Sequence, residues 1–384
     1  MLIKLFCLSF LMAFSANAAV YESDGSAADV QRKINSAADR AVVKIPAGSF
    51  VWAQGVTIAG KGVTLEGAGA GLTTIKNASG HPLISVSSIS RSGTRITGVT
   101  FVGSDHVLLI VGPKNSAPYR VDHCSFDDGA LQAIFVEVGG NGPGLIDECQ
   151  FVAGSASEMI HNYGLGADNA SGWSDDIAPG SGGALYIEDC TFSKNPLSDK
   201  YFWGTSAVQG YWGSRTVMRH CILNACQIDQ HGTKGMIGAR WFEFYDNTFY
   251  TPPGMYQSNS FDLRGGSGVV FNNVSTGSNL QPGGAGIDLR DENGGDRPLY
   301  LGRGIHQNYS PVYLWNNDPA MKVFSGSSNV VAKRDFFVSM TQPSKLLRFE
   351  QATDNGSTTY SYTPCQYPHP LRNADVNWKQ AAER

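Results

Sequence analysis

Apolar and polar residues alternate along this chain in short bursts, separated by breaks rich in Gly, Asn and Asp. Alternation with a period of two places every second side chain on one face, which predicts short, half-buried strands. One burst recurs as a unit: "RITGVTF", "RVDHCSF", "LIDECQF", "YIEDCTF", "VMRHCIL", "EFYDNTF" and "VVFNNVS". The units start at residues 95, 120, 145, 186, 217, 243 and 269, so successive starts are 25, 25, 41, 31, 26 and 26 apart. A loop inserted into a repeat explains the two longer steps. The period is too short for a four-stranded propeller blade, and the leucine-rich consensus is absent. A parallel β-helix remains: each coil supplies about three short strands, and coils stack about 4.8 Å apart.

Stacking accounts for the fifth position of the last six units, which reads Cys124, Cys149, Cys190, Cys221, Asn247 and Asn273. Equivalent positions of successive coils lie above one another. The cysteines are expected to form an inward ladder of small apolar groups, continued by asparagines that hydrogen-bond along the stack. Their spacing is not that of a zinc site. Buried free thiols are favoured over disulfides between neighbouring coils. Near the N-terminus, Ser26–Ala38 has a Ser cap with Val30, Ile34 and Ala38 on one face, which predicts a short helix. Solenoids need such caps over their exposed core ends.

The IPAGSF strand after this helix, the Gly-rich coils and the VDHCSF-type units resemble the pectate-lyase-like right-handed parallel β-helix superfamily, from Val20 to about Met340. The resemblance implies an all-β, right-handed parallel β-helix and a role among extracellular polysaccharides. It is a statement about fold first, because one fold hosts many activities. The "YPHPL" ending resembles bacterial secreted β-helix proteins. Residues 341–384 are expected to form a tail over the last coils, with His369 as a packing residue.

Composition adjusts this picture in three ways. The 45 glycines suit a turn-rich all-β chain, and a hydrophobic share of 42% excludes a disordered one. Residues 1–19 combine Lys4, an apolar run and a small-residue "ANA" site, the pattern of a secretory signal peptide cleaved near Ala18 or Ala19. A secreted or periplasmic protein with no stable membrane anchor is expected. The formal net charge is −4, and losing Lys4 leaves 28 basic against 33 acidic residues, or −5. That balance argues against a nucleic-acid partner. A capped solenoid is expected to be a monomer.

Candidate chemistry lies on the strands that follow the ladder position. If Ile134, Val136, Val208, Ile228, Phe261, Leu263, Ile287 and Leu289 face inward, alternation turns Glu137, Gln209, Tyr211, Asp229, His231, Asp262, Arg264, Asp288 and Arg290 outward. The side of His161 is ambiguous. One or two of these residues would be an ordinary solvated face. The whole strip is richer in acid, guanidinium and imidazole than such faces are, with Asp-x-Arg at Asp262–Arg264 repeated at Asp288–Arg290. Trp173, Tyr201, Phe202 and Trp203 lie in loops that could wall a groove.

Three functions fit this strip. The first is a polysaccharide lyase that cleaves a uronic-acid-containing glycan by β-elimination. His231, Lys234 or Tyr211 would move the proton, and Arg264 would stabilise the developing charge. Glu137, Gln209, Asp229, Arg290 and Trp173 would hold the acidic polysaccharide, and Asp262 and Asp288, with Asp229 as a further ligand, would hold Ca²⁺. The aspartates and arginines compete here: if each Asp pairs with an Arg, no metal site remains. The second is a glycoside hydrolase using paired aspartates, suggested by the resemblance of "DQHG" at Asp229–Gly232 to the His-Gly element of polygalacturonases. The third is a non-catalytic glycan-binding surface protein. The remaining polygalacturonase elements and the arginine motif of pectate lyases are missing, so catalytic residues do not transfer directly from either family.

Overall fold

The computed structural model describes residues 18–373, apart from 81, 88–91, 104–106, 114–115, 128–131, 140–141, 154–157, 165–178, 196–204, 233–237, 253–258, 277–285, 291–310, 327, 329 and 350–356. Three parallel sheets run the length of a β-helix, and each coil visits them in the same order. Among the described residues, sheet A has twelve strands, from Val20–Glu22 to Phe336–Ser339. Sheet B has nine, from Gly48–Trp52 to Val274–Thr276, and sheet C has ten, from Val56–Ala59 to Lys322–Ser325. Helix Ala27–Ser36 closes the N-terminal end. The Ser26 hydroxyl accepts the Asp29 N–H at 3.2 Å, and Val30 and Ile34 are buried on the core side.

The repeat sets the interior. Phe101, Phe126, Phe151 and Phe192 stack along sheet B with ring centroids 5.3, 4.7 and 4.7 Å apart. Cys124, Cys149, Cys190 and Cys221 are buried free thiols at the turn from sheet A to sheet B. The ladder continues through Asn247, whose Nδ2 donates to Asn273 Oδ1 at 3.0 Å, and Asn273 donates likewise to Asn317 at 2.9 Å. Each ladder residue follows a left-handed residue: His123, Glu148, Asp189, His220, Asp246, Asn272 and Asn316 have φ between 50° and 56°. Asp, Asn and His tolerate that region better than most residues do, and they hold six of these seven turns.

The tail departs from expectation. It does not stop on the last coils but runs back along the outward face of sheet A. Tyr362 packs edge-on against Phe271 and Trp315 and donates to Glu243 Oε2 at 2.6 Å. Further back, Arg219 Nη1 donates to the Cys365 carbonyl at 2.6 Å, and His369 lies over Tyr186. Finally the Arg372 carbonyl accepts from Arg120 at 3.0 Å. The reason is chemical. Sheet A presents buried acids and arginines outward, and the tail brings the groups that complete them. His369 is a packing residue, as expected; burial and the nearby Arg219 and Arg372 charges push its imidazole down to about 3.

Candidate active site on the outward face of sheet C

Strand register arranges the outward side chains of sheet C in two columns. The first holds Phe135, His161, Gln209, Asp229, Asp262, Asp288 and Phe324 on successive coils. The second holds Glu137, Tyr163 and Tyr211, and is extended past the strand ends by His231, Arg264 and Arg290. The inward partners are Ile134, Val208, Ile228, Phe261 and Ile287, so the alternation read from the sequence gives the right faces. His161 joins the outward set.

The charged part is a staggered ladder. Arg264 donates from Nε to Asp229 Oδ1 at 3.2 Å, and from Nη2 to Asp229 Oδ2. One coil on, Arg290 makes the same two bonds to Asp262, with Nε–Oδ1 at 2.9 Å. Each guanidinium thus reaches back to the carboxylate of the preceding coil, a bidentate pairing that fits both groups. Burial alone would raise the Asp229 carboxyl, but hydrogen bonding to His231 and the Arg264 charge hold it below its usual range. For Asp262, burial and the neighbouring Asp229 charge outweigh Arg290, and the carboxyl is raised.

Asp288 ends the ladder. Its coil neighbours in the column are Asp262 and the apolar Phe324. Its side chain is 8% exposed, and its Oδ1 has no hydrogen-bond partner. Burial raises its carboxyl to about 6, against the pull of Arg290.

The other half of the strip is aromatic. Tyr163 stacks on Phe135 and on Tyr211 with centroids 5.0 and 5.3 Å apart, and Tyr211 stacks on His231 at 4.1 Å. These rings stack face to face on one another along the outward side of sheet C. Burial pushes the Tyr211 phenol far above its usual range, and its hydroxyl donates to Gln209 Oε1 at 2.5 Å. Tyr211 thus contacts His231 through its ring and Gln209 through its hydroxyl. His231 Nε2 meets Arg264 Nη2 and lies 3.4 Å from Asp229 Oδ2. That nitrogen faces the Arg264 donor and the Asp229 acceptor at once, so His231 joins the cation and the carboxylate in one cluster. His161 has its Nδ1 2.9 Å from Glu158 Oε2.

The structure brings together Gln209, Tyr211, Asp229, His231, Asp262, Arg264, Asp288 and Arg290. Glu137 sits at the aromatic end, two coils before Tyr211. Lys234 and Trp173, like Tyr201, Phe202 and Trp203, lie outside the described residues. Two expectations change. Asp229 is not a free substrate ligand, because Arg264 takes both of its oxygens. Nor do Asp262 and Asp288 fit Ca²⁺, which takes six to eight oxygens. Both Asp262 oxygens bind Arg290, and among the described residues no three His, Cys, Asp or Glu side chains converge on a metal position. Phe135 and Tyr163 escaped the sequence reading, although they share the strand parity of Gln209 and Tyr211.

No family model matches the chain, and no curated protein matches it. Among solved structures, the fold is similar to the catalytic domain of a GH87 α-1,3-glucanase in complex with tetrasaccharides. The match has 10% identity and a TM-score of 0.35, and covers 85% of this chain and 68% of that one. The chain itself folds as a parallel β-helix with a charged and aromatic strip along one sheet.

Proposed function

We propose that the sheet C strip is the active site of an exported polysaccharide-degrading enzyme, and that it cleaves a uronic-acid-containing glycan by β-elimination. The observation that carries this reading is the contact of the His231 imidazole with the Arg264 guanidinium beside Asp229. β-Elimination needs that pair. A base removes the proton beside the uronate carboxylate, and a cation stabilises the negative charge that develops there. The electron pair then forms the C4=C5 double bond and expels the glycosidic oxygen, which takes its proton from the imidazolium that His231 has become. Asp229 locks Arg264, and Tyr211 locks the imidazole plane, so both groups are pre-oriented. Family resemblance in the coil units supports the same substrate class. A screen of pectin, alginate, glycosaminoglycans and bacterial exopolysaccharides, read by ultraviolet absorbance of the unsaturated product and by reducing ends, tests it. Elimination gives both signals, and silence on every uronate glycan would sink it. Replacing His231 by Ala is expected to lower the rate about 10²–10⁴-fold with the fold intact, and an unchanged rate would remove His231 from the mechanism.

A second reading rests on a separate observation. Asp229 is held low while Asp288 is raised to about 6, and divergent carboxyls are what acid–base hydrolysis uses. Two coils separate them, roughly 9.5 Å by strand spacing, within reach of the wider carboxyl separation of inverting hydrolases. Reducing ends without ultraviolet absorbance would select this reading, and Asp288→Asn would then abolish cleavage.

A further inference from the structure

Sheet B carries the third outward face of the coil, and it differs from the other two. Among the outward positions of its nine described strands, only Lys76 and Asp127 are charged. A cavity of about 510 Å³ opens on this face, within the size range of small-ligand sites. Register stacks Thr100, Ser125 and Gln150 along its floor. Residues 69–71 form one wall, where the Gly71 N–H donates to Thr100 Oγ1 at 2.8 Å. A Cβ on Gly71 would meet nothing within 4 Å, so this wall borders open space. His123 and Glu148 form the other wall, with side chains 57% and 41% exposed. The imidazole bridges two carboxylates: Nδ1 lies 2.8 Å from the buried Asp122, and Nε2 lies 2.9 Å from Glu148. Arg95 holds Asp122 in turn, and Arg372 stands 3.8 Å from the other Glu148 oxygen. Glu148 is therefore oriented from behind while its outer side faces the cavity. Among the described residues, the Ser125 hydroxyl and the Gln150 amide have no hydrogen-bond partner within the protein.

We propose that this cavity is a second glycan site, separate from the sheet C strip, and that it takes an uncharged sugar residue. Its side chains offer a carboxylate, an imidazole, two hydroxyls and an amide, and no lysine or arginine lines it. A carboxylate accepts through two oxygens side by side, which suits the neighbouring hydroxyls of a pyranose ring. The Ser125 hydroxyl and the Gln150 amide both donate and accept, as sugar hydroxyls do. A uronate would set its own carboxylate against Glu148 with no cation in the lining to pair it. An apolar ligand would take water from the polar floor and return no hydrogen bond.

The test uses the full-length mature protein and neutral tetrasaccharides of glucose, galactose and mannose, with tetragalacturonate as the anionic counterpart. Affinities are measured by calorimetry at pH 7. At least one neutral tetrasaccharide is expected to bind. Glu148→Asn withdraws the carboxylate and keeps a residue that tolerates the left-handed turn. Ser125→Trp fills the cavity from its floor, on an outward strand position that accepts a large ring. Each is expected to weaken the neutral sugar at least about tenfold, or roughly 1.4 kcal/mol, with thermal unfolding confirming the fold. Binding of tetragalacturonate should be unmoved by either substitution. Failure of every neutral tetrasaccharide to bind, or binding that survives both substitutions, overturns the assignment. So does a loss of tetragalacturonate affinity in Ser125→Trp, which would make the cavity a uronate site. Tighter binding of trilysine than of any neutral sugar, lost in Glu148→Asn, would make it a peptide site and overturn it as well. The sheet C reading stands or falls separately on the cleavage screen, since neither substitution touches that strip.

Discussion

Sheets A and C solve the same problem on opposite sides of one coil. Both project acids and arginines outward from stacked strands. In both, the closest, bidentate pairs run between coils, with longer contacts of 3.5–3.6 Å within them. On sheet A, Arg95 donates to Asp122, Arg120 to Asp147 and Arg219 to Glu188. There the arginine ladder is completed from outside: the C-terminal tail supplies Arg372, whose Nε lies 3.2 Å from both Asp147 and Glu188. On sheet C, among the described residues, the last acid, Asp288, has Arg290 of its own coil 3.6 Å away and no partner from the tail. A raised carboxyl does not separate the two faces, since burial lifts Asp147 and Asp288 alike to about 6. The cover separates them: the C-terminal tail packs over the sheet A ladder and joins it, while the sheet C ladder is built from its own strands among the described residues.

The largest effect should come from breaking the closed ladder. Arg219 is fully buried and bridges Glu188, the Tyr245 hydroxyl and the carbonyls of Cys365 and Gln366. Removing one partner of a buried pair leaves the other charged and unsolvated. Arg219→Ala is expected to cost about 3–5 kcal/mol in chemical denaturation and to release the tail, seen as faster proteolysis beyond residue 360. A loss under about 1 kcal/mol would mean that the tail and sheet A are not coupled as drawn.

A matched pair of substitutions tests the contrast directly. Asp147→Asn relieves the burial penalty that Asp147 shares with Asp288, but it strands the buried Arg120, which holds both carboxylate oxygens, and takes a partner from Arg372. A stranded buried charge costs about 3–5 kcal/mol, so stability at pH 8 should fall. Asp288→Asn should leave stability at pH 8 unchanged or raise it. The Asp288 carboxyl is raised from 3.8 to about 6 in the fold, so the native state binds its proton more tightly than the unfolded chain does. Its contribution therefore weakens the fold progressively as pH climbs from about 4 to 6, and the penalty persists above that window. Asparagine removes the penalty. Equal destabilisation by both substitutions would show that Asp288 is as structural as Asp147.

The outline of this contrast was legible in the sequence, and its details were not. Period-two alternation and the ~25-residue repeat are local, so the inward Cys–Asn ladder and the outward Asp-x-Arg pairs could be read directly. Which carboxylate each arginine takes could not. Asp262 and Arg264 share a face at i, i+2, and only stacking shows that Arg264 reaches back to Asp229. The contacts of the tail join residues such as Arg219 and Cys365, 146 positions apart and without a shared repeat. Gly326 sits in "VFSG", where nothing marks its contact with Asp288; the close approach appears only once register aligns it with Arg290.

The smallest effect separates holding from reacting within the groove. Tyr211→Phe keeps the ring that stacks between Tyr163 and His231 and deletes only the hydroxyl bound to Gln209. Losing one neutral hydrogen bond should cost about 0.5–1.5 kcal/mol of stability. If Tyr211 only positions the imidazole, turnover should fall less than about tenfold, with an unshifted pH profile. If the phenol itself moved the proton, the loss would match that of His231→Ala, and the limb of the profile that reports it would disappear. Tyr211→Leu then completes the comparison, since it removes the stacking face as well. A positioning role predicts a larger loss for Leu than for Phe, while a proton-transfer role predicts the same loss for both.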